Sequence, residues 1–178
     1  MRAKRLLDLT LGSALLILTA PLVTVAALAA ALRRTPGGAF VRETRTGLHG
    51  APITVRSLRT RRLRLDLLSR LPHVVRGELS LVGPAALRPG DPRARRRWRQ
   101  SVKPGLTGLA QLRRHSVLPW DEPELLDQHY VEHHGIGLDL KVLLGTLPAL
   151  LHAPAEGGPA EGGLSDADHR LRGYSAAK

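Results

Sequence analysis

Cysteine is absent from this 178-residue chain. That excludes a disulfide framework, cysteine-ligated zinc, iron–sulfur clusters and a thiol nucleophile, and it identifies no compartment. Aromatic residues make up 3% with a single Phe, too few for a stacking platform on single-stranded nucleic acid. Lysine stands only at positions 4, 103, 141 and 178, so the positive charge is almost all arginine. Acidic residues are scarce at the front: residues 1–120 hold 5 Asp and Glu against 23 Lys and Arg. Residues 121–178 reverse the balance, with 10 against 4. A basic front suggests an anionic partner, whether nucleic acid, lipid headgroups or nucleotide phosphates. At 43% hydrophobic residues wholesale disorder is excluded, and 19.3 kDa suits one domain or a small domain with a membrane segment.

The first long feature is apolar. Residues 6–32 carry one charge, Asp8. A straight helix of that length crosses a hydrocarbon core of ~30 Å. A signal peptide fits less well, because the run is long and Arg33-Arg34 follow it directly. Pro21 sits mid-segment and favours a kink. Both flanks are positive, with Arg2, Lys4 and Arg5 before and Arg33 and Arg34 after. The positive-inside tendency pulls both ends to the cytoplasmic side. The expectation is a re-entrant helix–break–helix over residues 1–38, with one tilted spanning helix as the alternative.

Thr35-Pro36-Gly37-Gly38 reads as a turn. Residues 39–45 and 52–58 read as the strands of a β-hairpin, with Val41, Ile53 and Val55 apolar and residues 46–50 as the loop. Residues 59–75 read as one basic amphipathic helix. Its stripe is Leu63, Leu67, Leu71 and Val74, with Arg61, Arg62, Arg64 and Arg70 off it. Such a helix suits the headgroup plane, or else presents a solvated charged face. Residues 77–84 give a short strand closed by Gly-Pro, and residues 93–99 hold five arginines around Trp98. Residues 103–111 read as a glycine-punctuated loop whose backbone can approach an anion. Residues 123–134 read as a helix N-capped by Asp121, and residues 138–151 as a second helix broken late by Pro148. His129 and His133 stand at i, i+4 beside His134, but the order is not HExxH and no further ligand is evident, so solvated or packed histidines are favoured over zinc. The fold class is α/β of the α+β kind, mainly helical, with the main domain at 39–151 and an acidic, disordered tail at 152–178.

Five stretches, in order, resemble the bacterial sugar transferase family, the monotopic phosphoglycosyl transferases. They are KRLLDLTLGSALLILTAPL at 4–22, FVRETRTGLHGAPITVRSLRT at 40–60, RGELSLVGP at 76–84, SVKPGLTGLAQLRRH at 101–115 and DQHYVEHHGIGLDLKVLLGT at 127–146. The resemblance implies a re-entrant membrane helix and an active site on the cytoplasmic face of the bacterial cell membrane. It implies transfer of a phosphosugar from a nucleotide diphosphate sugar, usually a UDP-sugar, to polyprenyl phosphate, at the start of exopolysaccharide or surface-glycan synthesis. The implied partners are nucleotide sugar, polyprenyl phosphate and membrane lipids, with a homo-oligomer left open. The family's catalytic Asp-Glu pair falls on Asp66 and Leu67. The resemblance makes Asp66 a nucleophile that attacks the β-phosphorus. The family's neighbouring Glu works with a divalent metal, normally magnesium (Mg2+), which Leu67 puts in question.

Other departures fall in the same region. The segment between Arg59-Thr60 and Asp66 is short for the family. Ser57 replaces a lysine, and Ala85 replaces an arginine after Gly83-Pro84, with Arg88-Pro89 as a displaced version of that pair. Arg62, Arg64 and Arg70 put positive charge near Asp66 in sequence. Arg59, Arg88 and Lys103 are candidate diphosphate ligands, since guanidinium groups suit phosphate oxygens. Gly83, Pro84, Gly105 and Gln111 are candidate lining residues. Glu78 is the candidate carboxylate to stand in for the missing Glu. Three functions follow: an active transferase, a catalytically impaired scaffold of the same family, and an anchored nucleic-acid binder. The last leaves the apolar segment unexplained and has no zinc pattern or helix-turn-helix signal, so no nucleic acid is expected.

Overall fold

The computed structural model describes residues 2–32, 38–60, 64–113 and 122–152. Leu and Ala, strong helix formers, build α1 (Arg2–Leu32), and the helix runs unbroken through Pro21. The expected break is therefore not in the backbone, because good helix formers on both sides hold the turn that lacks one N–H. The first half of α1 lies on the domain. Leu7 and Leu16 pack against the core, and Gly12 lets the helix approach α3, where a Cβ would come within 3.2 Å of Val74. Beyond that, Ile17, Leu18, Val25, Leu28 and Leu32 are exposed.

β1 (Phe40–Thr46) and β2 (Pro52–Leu58) form the expected antiparallel hairpin. Its register pairs Val41 with Ser57, Glu43 with Val55 and Arg45 with Ile53. Alternation turns these six residues inward. Two inward positions are thus charged. The outer edge of β2 is closed by side chains: Leu58 N–H donates to Ser69 Oγ at 2.8 Å and Arg56 N–H to His73 Nε2 at 3.0 Å.

The single helix expected over 59–75 is instead two short ones, α2 (Leu65–Leu68) and α3 (Leu71–Arg76). Pro72 opens α3 and Ser69-Arg70 form the joint. The break turns the stripe, so Leu65 is buried while Leu67 is half-buried, and Leu71 and Val74 face the core. Leu63, Arg61 and Arg62 lie outside the described residues, as do Thr35 to Gly37, Asp121 and residues 153–178.

β3 (Ser80–Val82) pairs in parallel with β4 (Gly105–Thr107). The glycine loop of the sequence is thus a strand followed by α5 (Leu109–Leu112). A parallel partner, Ser80–Gly105 and Val82–Thr107, satisfies backbone groups that a loop would leave to water. The arginine run folds as a 3₁₀ turn, Pro92–Arg95, and α4 (Arg97–Gln100). α6 (Pro123–His133) starts after Glu122, which makes no side-chain cap. α7 (Ile136–His152) continues through Pro148, which therefore does not end it. The core joins these elements through Val55, Leu71, Val74, Leu81, Tyr130 and Val142. The result is mostly helical, with two small sheets and a long apolar first helix.

Candidate active site

Asp66 lies in the single turn of α2, preceded by Arg64 in the left-handed region at φ 53°. A non-glycine residue there is uncommon and strained. The Asp66 N–H donates to Thr60 O at 3.1 Å, which ties the turn back to the end of β2. Ser69 Oγ donates to Asp66 O at 2.8 Å while accepting from Leu58 N–H. The backbone of Asp66 is therefore fixed from both sides by the hairpin. Its Oδ1 is buried and takes no hydrogen bond among the described residues. Those lone pairs are uncommitted, which a nucleophilic carboxylate requires.

Arg70 stands one turn on. Burial pulls its pKa below the usual guanidinium value, and Asp66 opposes that shift. Its other charged neighbours are Arg45 and Glu43 from the inner face of β1. Arg70 Nε, like Asp66 Oδ1, is buried without a hydrogen bond among the described residues. Glu43 is bound by Arg45, whose Nε donates at 3.2 Å, and its pKa is held below the usual carboxylate value chiefly by that bond. Arg70 and Arg88 lower it further. Arg45 Nη1 also donates to Ala86 O at 3.0 Å, so it fixes the segment after Gly83-Pro84 against the hairpin. Three guanidinium groups and two carboxylates thus share one electrostatic neighbourhood.

The structure brings Asp66 and Arg88 into this neighbourhood and adds Glu43, Arg45 and Arg70. Arg64 is exposed. Arg59 follows β2 and its N–H donates to Ala39 O at 2.8 Å. Lys103 is elsewhere: its charged neighbours are Arg5 and Asp8, and burial pushes its pKa down. Gly83 and Gly105 pack backbone on backbone, where a Cβ on Gly105 would lie 2.1 Å from Gly83 N. Pro84 is buried beside them, and its carbonyl accepts from Gly105 N–H at 3.0 Å. Gln111 lines a separate cleft with Leu87, Arg99 and Asp127. There Arg99 Nη2 donates to Asp127 Oδ2 at 2.7 Å, both side chains buried, and burial raises the Asp127 pKa against the pull of Arg99. Glu78 is engaged by His73 Nδ1, so it is not at hand for Asp66.

A second polar cluster ties α1 to the domain. Lys4 Nζ donates to Asp139 Oδ2 at 2.6 Å, Tyr130 Oη at 2.9 Å and Val82 O at 3.1 Å, which uses all its protons. Tyr130 Oη lies 2.6 Å from Asp139 Oδ1, and burial followed by Asp139 drives its pKa up. Asp8 is buried and accepts from Ser80 Oγ and from Leu81 N–H at 3.0 Å. Arg5 donates to Val74 O and Val75 O. Sequence reading noted these residues only as flanking charge or as parts of motifs. The usable signal was Asp8, a lone carboxylate in an apolar run, which needs a partner if buried. For Glu43 and Arg45 the signal was i, i+2 spacing on the inward face of a strand.

Magnesium binds through one or two carboxylates plus phosphate oxygens. Asp66 Oδ1 is the uncommitted carboxylate oxygen beside Arg70; position 67 is Leu, and Glu43 is committed to Arg45. No group of three or more His, Asp or Glu suited to a metal occurs among the described residues, the α6 histidines included. These donors do not fit a magnesium site of the Asp-Glu kind.

A family model described as bacterial sugar transferase matches residues 1–62 and 59–153. The two segments meet where the chain is short before Asp66. The chain is 32% identical to the uncharacterized sugar transferase EpsL of Bacillus subtilis (strain 168), over 83% of this chain and 87% of that protein. It is 34% identical to a UDP-glucose:undecaprenyl-phosphate glucose-1-phosphate transferase of Caulobacter vibrioides, over 83% and 69%. A protein of the same description from Escherichia coli (strain K12) is 27% identical over 81% of this chain and 39% of its own length.

Proposed function

We propose that this chain, which belongs to the bacterial sugar transferase family, moves a sugar phosphate from a UDP-sugar to polyprenyl phosphate at the cytoplasmic face of a bacterial membrane. The product would begin an exopolysaccharide or surface glycan. The observation that carries the reading is the buried, uncommitted Oδ1 of Asp66 beside Arg70. The substrate pair follows the relative named for UDP-glucose and undecaprenyl phosphate. In the first step Asp66 Oδ1 attacks the β-phosphorus, the bond to the bridging oxygen breaks, and UMP leaves with that bond's electrons. In the second step a polyprenyl phosphate oxygen attacks the same phosphorus and Asp66 departs as a carboxylate. Splitting transfer into two displacements is the use of a covalent nucleophile. Arg88 and Arg59 are the proposed diphosphate ligands from the hairpin side. Pro84, Gly83 and Gly105 shape the backbone behind them, whereas Lys103, beside Arg5 and Asp8, and Gln111, in its own cleft, are given no part in the transfer.

The membrane reading rests on α1 and on α7. Exposed Leu and Ile residues cover the outer half of α1, and α7 exposes Ile136, Leu140, Leu144 and Leu147 along one stripe. Apolar faces of this kind bury in lipid. Positive charge flanks both ends of α1, so we expect it to re-enter by bending at Pro21 while staying helical, rather than to span. The chain has no cysteine, so Arg2→Cys and Pro36→Cys each give a single label site. Both sites should react with an impermeant maleimide from the cytoplasmic side only, whereas labelling from opposite sides would establish a spanning helix.

Release of UMP from a panel of UDP-sugars, with polyprenyl phosphate and the purified chain, tests the transfer. Turnover with at least one donor is expected. Leu67 favours one second reading, a scaffold without activity, and absence of release with every donor would establish that instead.

A further inference from the structure

Inward-facing charge on a strand is costly unless something balances it. Here the inner face of β1 carries Glu43 and Arg45, α2 supplies Asp66, the joint before α3 supplies Arg70, and Arg88 approaches after Gly83-Pro84. The neighbourhood has one guanidinium more than it has carboxylates. Arg70 carries the imbalance: its pKa is lowered by burial, and its Nε has no hydrogen-bond partner among the described residues. Arg70 Nε, a buried donor without an acceptor among the described residues, suits an anionic ligand.

We propose that Arg70 and Arg88, the latter in a segment placed by Arg45, hold the diphosphate of the nucleotide in the place a divalent metal would otherwise take, so that the nucleotide binds without magnesium. The proposal deepens the transferase reading and rests on it. Carboxylates and guanidinium groups are alternatives at such a site. A metal needs free carboxylate oxygens, whereas guanidinium groups bind phosphate oxygens directly and bidentately. Position 67 offers a leucine, and Glu43 is already taken by Arg45. The acceptors a metal would use are scarce, while the donors a diphosphate would use are gathered. Arg45 also holds Ala86, so the segment carrying Arg88 is placed by the same residue.

UDP binding to the full-length chain in detergent, measured by titration calorimetry, tests this apart from turnover. Affinity in EDTA should match affinity in magnesium within about twofold. Arg70→Gln should weaken binding about tenfold or more, the scale of a lost charge-assisted hydrogen bond. Arg88→Gln changes an exposed side chain and should also weaken it, which keeps the test alive if Arg70→Gln does not fold. Leu67→Glu should introduce tighter binding in magnesium than in EDTA. UDP binding that requires magnesium in the unaltered chain would overturn the proposal and leave the transferase reading standing. Unchanged affinity in both arginine variants would overturn it as well. No UDP binding in either buffer would sink both readings.

Discussion

Asp66→Asn should abolish transfer, lowering turnover by roughly 10⁴-fold or more, the scale on which a covalent nucleophile acts. The change keeps shape and volume but removes the charge and the attacking oxygen. Because the backbone of Asp66 is held by Thr60 O and Ser69 Oγ, the variant should fold as the parent does. Intact-protein mass spectrometry after incubation with donor should show a phosphosugar adduct on the parent and none on the variant. An adduct that survives in Asp66→Asn would assign attack to another residue. Between Arg34 and Asp91 the other acidic residues are Glu43 and Glu78, both already engaged by a cation or a histidine.

The other large effect is expected far from that carboxylate. Asp139→Ala should strip Lys4 of its counter-charge and Tyr130 of its acceptor in a single change. Asp139 is fully buried and its partners reach it at 2.6 Å. Breaking a buried ion pair from one side leaves the other charge uncompensated, at about 3–5 kcal/mol. Lys4 keeps some solvent access, so the lower end applies, about 3 kcal/mol and a fall of roughly 10 °C in the unfolding midpoint of a domain this size. Circular dichroism melts in detergent would measure it. Asp139→Asn, which keeps acceptor capacity, should lose less. A melt of Asp139→Ala that overlays the parent would show that the cluster does not bind α1 to the domain.

How far the chain could be read without coordinates depended on the range of the interactions involved. The hairpin was legible because period-two alternation and a glycine loop are local signals, and its register matches the expected strands to within a residue. The apolar helix and the helices at the rear were legible for the same reason. Its continuity through Pro21 was not, nor was that of α7 through Pro148, because a proline's local penalty was weighed without the good helix formers on either side. The split of residues 59–75 turned on Pro72, whose preference for a first turn outweighed the apolar stripe. β4 was read as a loop because a parallel strand's partner lies a crossover away. At the candidate site, Asp66 was singled out by resemblance to a family. Glu43 and Arg45 were passed over because hairpin charges usually face water, although their i, i+2 spacing from Val41 put them on its inward face. Lys103 was grouped with the diphosphate ligands by its motif, whereas its charged neighbours are at the base of α1.

The pairing of Glu43 with Val55 and of Arg45 with Ile53 makes the hairpin a selector as well as a scaffold. In a strand, a slip of one residue sends every side chain to the opposite face. One residue added to or removed from the turn at 47–51 would rotate Glu43 and Arg45 out to water and bring Arg42 and Thr44 in. Val41 would turn out with them while Ile53 and Val55 on β2 kept their face, so evolution can lengthen that turn only in steps that restore parity. The length of that turn would then decide which charges the bound nucleotide meets.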